Sequence, residues 1–358
     1  GGKTLEIQLA APNEFDPAIA GSDAMVFDLL SAFELLTASG LPAERSGFAL
    51  LAGLVTSGDV SLTPDNLVLT IDFPNAVANY VISDDEDLTV VIPAHDEAAW
   101  IRACLAAVLA SRGPMRAQVV VVANGCRDAT ADLARAMGPG FDARGWRLDV
   151  LELAEGSKIA ALNAGDAIAA APVRAYLDAD VTVYEDVLGQ LAEHLSGHVP
   201  AYGSGTLEIV QPRSAVSRAY ARVYRQVPFI ARGVPGCGLF AVNAAGRARW
   251  ADWPPIISDD TFARLHFSAA ERHAVPGRYR WPLVEGWRAL VRVRRRQNIG
   301  VTEIRRLYPA LAANDEKPPL GAAGKLRLAL NDPAGFAVYA GVALATRLGT
   351  DKGWSRGR

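Results

Sequence analysis

The sequence predicts an α/β protein built on a mostly parallel sheet with helices on both faces, and three observations carry that reading. From Leu88 onward, short apolar runs alternate with stretches of helical periodicity. Leu88–Ile92 is a continuous apolar run, as a strand covered on both faces requires. Each run also ends in a polar cluster, where ligands of such sheets bind.

The elements follow in order. Leu88–Ile92 reads as the first buried strand. Glu97–Ser111 places Trp100, Ile101, Cys104, Leu105, Val108 and Leu109 on one helical stripe. Gln118–Val122 is a second strand, Ala129–Met137 a helix and Leu148–Leu153 a third strand. Lys158–Ala170 is helical, Val173–Leu177 a strand and Glu185–Leu195 a helix.

Residues 1–86 have a different texture and predict a small N-terminal accessory domain. Met25, Leu29, Leu30, Phe33 and Leu36 fall at helical spacing, and a second apolar run spans Phe48–Val55. Val60–Leu62 and Leu67–Ile71 flank Thr63-Pro64-Asp65-Asn66, the pattern of a β-hairpin with a four-residue loop. Helices followed by a hairpin suggest a winged-helix type. The acidic stretch Ser83–Asp87 reads as a linker. The main domain then covers residues 87–310, with halves at 87–200 and 201–310. Residues 311–358 form a helical extension whose apolar face, from Phe336 to Leu348, is expected to pack internally.

Composition narrows the class. The chain has 358 residues, 50% hydrophobic and 21% charged, ample for a large core. A net charge of −3 predicts no strong attraction for nucleic acid or an anionic bilayer. Cys104, Cys126 and Cys237 are sparse and odd in number, which reads as reduced thiols in the cytoplasm. No signal peptide opens the chain. The apolar stretch Pro333–Thr346 is too short to span a bilayer, which leaves peripheral contact at the membrane's inner face open.

Four strand ends carry the chemistry. They are Pro93-Ala94-His95-Asp96-Glu97, Asn124-Gly125-Cys126-Arg127-Asp128-Ala129-Thr130, Gly156-Ser157-Lys158 with Asn163, and Asp178-Ala179-Asp180. Taken singly, Asp96 and Asp128 read as helix caps, Asn124-Gly125 as a turn and Lys158 as a solvated helix residue. Four such clusters at successive strand ends are a different matter.

The series P-A-H-D-E, N-G-C-R-D-A-T, G-S-K-I-A-A-L-N-A-G and D-A-D resembles glycosyltransferase family 2, over roughly residues 88–300. The resemblance implies the Rossmann-like GT-A fold and a nucleoside-diphosphate sugar, UDP- or GDP-linked, as donor. It implies that Pro93, Ala94 and Glu97 lie against the nucleoside. Asn124 takes the place of a base-contacting group, and Asp128 that of an acid at the next helix start. By the same resemblance Lys158 lies near the nucleotide, Asp178 near the ribose, and Asp180, beyond Ala179, ligates the metal. Hard Mn²⁺ or Mg²⁺ suits carboxylate and phosphate oxygens and stabilises a departing diphosphate.

The second half is expected to build the acceptor side, for a saccharide that is lipid-linked or a small molecule. Gly233–Gly238, with Gly236, resembles the family's glycine-rich segment. Ser258-Asp259-Asp260 resembles its E-D segment with Asp in the first place, making Asp260 the candidate general base beside Asp259 and implying inversion. A capped helix start is the plainer reading of the same residues. Trp250 and Trp253 suit either sugar stacking or the core. His266 and His273 are outside candidates for a further metal ligand. The run Arg292–Gly300 lacks the Q-x-x-R-W of polysaccharide-extending members, which argues against a processive synthase. Two other functions fit part of the pattern: a nucleotide-sugar-binding protein without turnover, and a sugar nucleotidyltransferase. The latter is disfavoured because the first strand runs quickly into a helix, leaving no room for a long glycine- and arginine-containing loop.

Overall fold

A computed structural model describes residues 3–8, 68–73, 86–113, 115–231, 233–315 and 320–348. The first two segments are strands, β1 (Lys3–Gln8) and β2 (Val68–Phe73), paired antiparallel with Lys3 opposite Phe73. Val68–Ile71 of the expected run is thus strand, paired here with Leu5–Gln8. Its expected partner Val60–Leu62, the 63–66 turn, the helix at 24–36, the run at 48–55 and residues 83–85 of the linker lie outside the described residues.

The main sheet has eight strands. Its first four are β3 (Leu88–Ala94), β4 (Ala117–Asn124), β5 (Arg147–Leu153) and β6 (Val173–Leu177). They run parallel in the spatial order β5-β4-β3-β6. Every residue of β4 and β6 is buried, the outcome expected of strands covered on both faces. The helices between them are α1 (Ile101–Leu109), α2 (Thr130–Arg135), α3 (Gly138–Ala143) and α4 (Lys158–Ala167).

Beyond β6 the sheet departs from the parallel expectation. After β7 (Thr182–Val183) and α5 (Val187–His194) come β8 (Tyr202–Ile209), α6 (Ala215–Tyr224), α7 (Pro228–Ala231) and β9 (Leu239–Asn243). Then follow α8 (Ala244–Arg247), α9 (Asp259–Leu265) and β10 (Arg272–Trp281). β9 pairs antiparallel with both β6 and β8, β10 lies parallel to β8, and β7 closes the edge antiparallel to β10. The sheet is mixed because β9 runs antiparallel between β6 and β8, while β8 and β10 keep the direction of the first four strands.

Two local expectations also change. The first helix begins at Ile101, not Glu97, and Trp100 sits at its N-cap, 42% exposed, off the buried stripe. The 129–137 helix is shorter and is followed by α3, started by Pro139 in its first turn.

Two cores flank the sheet. One gathers Leu88, Val90, Ile92, Leu105, Val119, Val121 and Phe141; the other gathers Val91, Leu162, Tyr176, Tyr202, Phe240, Trp253 and Phe267. The chain then forms α10 (Trp287–Leu307), α11 (Pro309–Ala312), α12 (Ala322–Asn331) and α13 (Pro333–Ala345). Val342 and Leu290 are buried with Tyr220 and Tyr224, so α13 packs internally as expected. Leu326, Leu330, Leu344 and Leu348 remain exposed. Among the described residues, no helix is long and apolar enough to cross a membrane.

Candidate active site

The order β5-β4-β3-β6 has its switch point between β3 and β6. Connections leave β3 toward β4 on one side, whereas β6 lies on the other, and this opens a crevice at the carboxyl ends of the two strands. Residues 94–97 and 178–180 border it.

Three strand-end loops press together there. The Asn124 side chain is buried and donates through Nδ2 to the Ala94 carbonyl at 2.8 Å, tying β4 to β3. His95 Nδ1 meets the Asn124 carbonyl, which only accepts, so Nδ1 is the donor there. Gly125 has φ +58°, and a Cβ on it would lie 2.7 Å from Gly156 Cα. Only glycine allows this approach of the second loop to the third. The Asn124-Gly125 pair is therefore more than a turn.

Asp96 and Asp128 do not cap helices. The N-cap of α2 is Ala129, without a side-chain bond. Asp128 instead accepts from Ala98 N at 3.0 Å and from Thr130 N at 3.0 Å, and Asp96 accepts from Arg127 N at 2.7 Å. The two carboxylates lace the first loop to the second. With Cys126 they form a group whose ligand atoms lie within 4.8 Å of one another, the one three-residue group of metal-ligand types found among the described residues. It does not include Asp180. Burial pushes the Cys126 thiol pKa up, and Sγ donates to the Ala94 carbonyl at 3.5 Å. A protonated thiol in such a bond is a poor partner for a hard cation.

Beneath the Asp178-Ala179-Asp180 turn lies Cys104, fully buried, with Sγ 3.9 Å from the Asp178 carbonyl. Burial raises its pKa most, and the carboxylates of Asp180, Asp178 and Glu97 raise it further. The three acids come from two different strand ends. Asp178 and Asp180 are half-buried and Ala179 is buried.

Lys158 joins the two halves. Its Nζ lies 2.9 Å from Asp178 Oδ1 and 2.9 Å from Asp259 Oδ2. Burial alone would lower the lysine pKa; the Asp178 and Asp259 carboxylates outweigh it, and the net shift is upward. The side chain keeps 42% of its surface exposed and is hemmed in by acids, not enclosed in apolar matter. Lys158 is no freely solvated helix residue. It begins α4, capped by Ser157, whose hydroxyl accepts from Ala160 N at 3.2 Å.

Asp259 and Asp260 open α9, where Ser258 occupies the N-cap without a side-chain bond, so the capping explanation fails. Asp260 accepts from Thr261 N at 2.6 Å, and burial followed by the Asp259 charge raises its pKa. The two neighbouring acids have different surroundings: Asp259 lies against the Lys158 ammonium, and Asp260 is made more basic.

The glycine-rich segment supports the crevice from below. The Gly238 carbonyl accepts from Asp178 N at 2.9 Å, and Gly236 has φ +66° where a Cβ would collide with the Tyr202 hydroxyl. Pro93 and Ala94 end β3, with Ala94 buried. Trp250 and Trp253 are core residues, 7% and 2% exposed, so neither is free to stack on a sugar. His266 is engaged with the Phe262 carbonyl at 2.9 Å among Trp250 and Phe262 rings, and His273 packs on His194. Arg294 lies over the Tyr224 ring, and Arg295 reaches the Ala345 carbonyl at 3.1 Å, so part of the arginine run is structural.

Sequence reasoning missed Asp166, a buried acid on α4, and the depth of Asn163. No spacing signal marks Asp166, since one acid per helix is ordinary. Asn163 lay inside the K-x-x-A-L-N segment.

A parallel half-sheet with acids and a lysine gathered at its switch point defines an α/β domain of nucleotide-binding architecture. Residues 89–236 match the model of Glycosyl transferase family 2. Glycosyltransferase AglE of Haloferax volcanii is 29% identical over 132 residues, covering 36% of this chain and 42% of its own length. The chain thus spans less than half of that relative. Among solved structures, the mannosyltransferase PcManGT from Pyrobaculum calidifontis, in complex with GDP-Man and Mn²⁺, is 20% identical with a TM-score of 0.48, covering 76% of this chain and 79% of the other. TarS 1–349 of S. aureus is 14% identical with a TM-score of 0.46, covering 72% of each chain.

Proposed function

We propose that the chain is a divalent-metal-dependent, inverting glycosyltransferase that moves a sugar from a UDP- or GDP-linked donor to an acceptor hydroxyl. The observation that carries this reading is Lys158, which gathers an acid of the donor side and an acid of the acceptor side onto one ammonium. The match of residues 89–236 to the family model supports a nucleotide-sugar donor.

The residues at the crevice fit a hard cation. Asp178 and Asp180 are half-buried oxygen donors at a strand end, the ligand type Mn²⁺ and Mg²⁺ prefer. Asp180 would hold the metal, with Asp178 toward the ribose; when bound, the metal neutralises charge on the departing diphosphate. The chain's own residues do the rest. Pro93, Ala94, Glu97 and the Asn124 loop line the nucleoside side. Lys158 offers a second positive charge to the diphosphate. Asp260, with its raised pKa, takes the acceptor proton as that oxygen attacks the anomeric carbon, while Asp259 holds Lys158. One displacement by an acceptor so activated inverts the anomeric centre.

The same reading places 87–310 as the catalytic domain and 1–86 as an accessory domain. The reduced thiols of Cys104, Cys126 and Cys237 suit a cytoplasmic setting. The exposed leucines of α12 and α13 suit a lipid-linked acceptor met at a membrane surface.

The test is release of UDP from UDP-GlcNAc and of GDP from GDP-Man with Mn²⁺, with and without chelator. Metal-dependent release of either nucleotide is expected. Nucleotide binding without release would favour the binding-protein alternative.

A further inference from the structure

Helix α4 carries Lys158 at its start, and two further polar residues on the same helix hold the acceptor-side chain. Asn163 clasps the backbone of Trp253: its Oδ1 accepts from Trp253 N at 2.7 Å, and its Nδ2 donates to the Trp253 carbonyl at 3.2 Å. One turn on, Asp166 accepts four hydrogen bonds. Oδ1 receives the Tyr176 hydroxyl at 2.8 Å and Arg174 Nη1 at 3.3 Å; Oδ2 receives Arg247 Nε at 2.8 Å and Trp253 Nε1 at 2.8 Å. A carboxylate has about four lone-pair sites, so this one is saturated.

The cluster is buried. Asp166 is 9% exposed, Arg174 5%, Arg247 7% and Trp253 2%. Arg247 extends the grip by donating to the Trp250 and Ala251 carbonyls at 2.6 and 3.0 Å. Segment 247–253 is thereby fixed to α4, and the chain runs from Trp253 to Asp259 within six residues. The far end of this short span is secured again, since Ile257 N donates to Glu303 at 2.9 Å. Asp259 then returns to Lys158, at the head of α4. The helix and the 253–259 span form a closed loop of contacts.

We infer that Asn163 and Asp166 are positioning residues: through Trp253 they set where Asp259 and Asp260 stand relative to Lys158 and the donor crevice. This deepens the proposed transfer reaction and rests on it. A buried carboxylate with two arginines costs more to desolvate than a packed apolar cluster and is weak support for stability by itself. Its four-donor geometry instead supplies a unique register between the two halves, because every bond fixes an angle as well as a distance.

Replacing Asp166 strands two buried arginines and risks unfolding, so the test uses Trp253→Phe and Asn163→Ala in the full chain. The first readout needs no substrate: acylation of Lys158 by an N-hydroxysuccinimide acetate probe, followed by mass spectrometry, with Lys325 on α12 as internal control. Both variants are expected to raise Lys158 labelling severalfold over Lys325. The second readout is nucleotide release from UDP-GlcNAc and GDP-Man with Mn²⁺. On whichever donor the wild type turns over, kcat is expected to fall roughly 10- to 100-fold with donor KM within about twofold, since small displacements of reacting groups cost that much. A purely structural role would lower the thermal midpoint and leave the labelling ratio unchanged, which overturns the inference. Wild-type protein that releases neither nucleotide fails the proposed function, and the labelling ratio alone then decides the positional claim.

Discussion

Asp259 Oδ2 stands 2.9 Å from Lys158 Nζ, joining the first residue of α9 to the first residue of α4 across the crevice. The same ammonium meets Asp178 at 2.9 Å. Asp178 and Asp259 therefore share one cation beside Asp260, and its loss leaves the acids to repel.

Lys158→Met is expected to weaken nucleoside-diphosphate binding by roughly 10- to 100-fold, the effect of losing a charge-assisted contact. It also raises the pKa of Asp260 further, because the lysine is the main influence lowering it. The acid limb of the transfer rate against pH then moves upward. A limb that stays in place in Lys158→Met would separate the lysine from Asp260.

Asp260→Asn is expected to keep metal-dependent nucleotide binding and to lose transfer by about 10²–10⁴-fold, the usual contribution of a general base. Asp259→Asn should instead alter both, because its carboxylate holds Lys158. Steady-state kinetics with parallel nucleotide titrations check the pair. Equal defects in the two variants would contradict the division of roles.

Gly125→Ala tests the contact between the second and third loops. At φ +58° a methyl group is strained, and it would meet the Gly156 backbone. A loss of about 1–3 kcal/mol in stability is expected, with nucleotide binding impaired as well, read by denaturant unfolding and by titration.

Glu271 is one of the carboxylates that should make stability fall at acid pH. Arg249 and Ser268 hold Glu271 down to about 2, from an ordinary 4.5. A depressed carboxylate contributes stability above its unfolded pKa, and that contribution fades as pH falls from about 4.5 toward 2. Glu271→Gln should therefore lower the thermal midpoint at pH 7 and flatten its decline across that window. An unchanged slope would rule the pair out.

Much of the domain was legible from the chain itself. The buried strands β3, β4 and β6 announced themselves by largely apolar runs, and Lys158 and Asp178 from two of the polar loops meet at 2.9 Å. The antiparallel return through β8 and β9 was not legible: strands in the second half are read against partners far along the chain, and periodicity carries no partner information. Helix starts misled for a different reason. Asp96, Asp128 and Ser258 have the composition of caps, yet their side chains are spent across loops or left out of the cap, a choice that tertiary contacts make. Asp166 was invisible, because an acid's burial depends on arginines and a tryptophan brought from three other segments.

The central claim is that the Asp178/Asp180 crevice holds a nucleoside diphosphate together with a divalent cation. Thermal stabilisation by UDP and GDP, each with and without Mn²⁺, tests it most directly. The account predicts a rise with at least one nucleotide that requires Mn²⁺ in the wild type and is lost in Asp180→Asn. Stabilisation by neither nucleotide, or the same metal-dependent rise in Asp180→Asn, would contradict it.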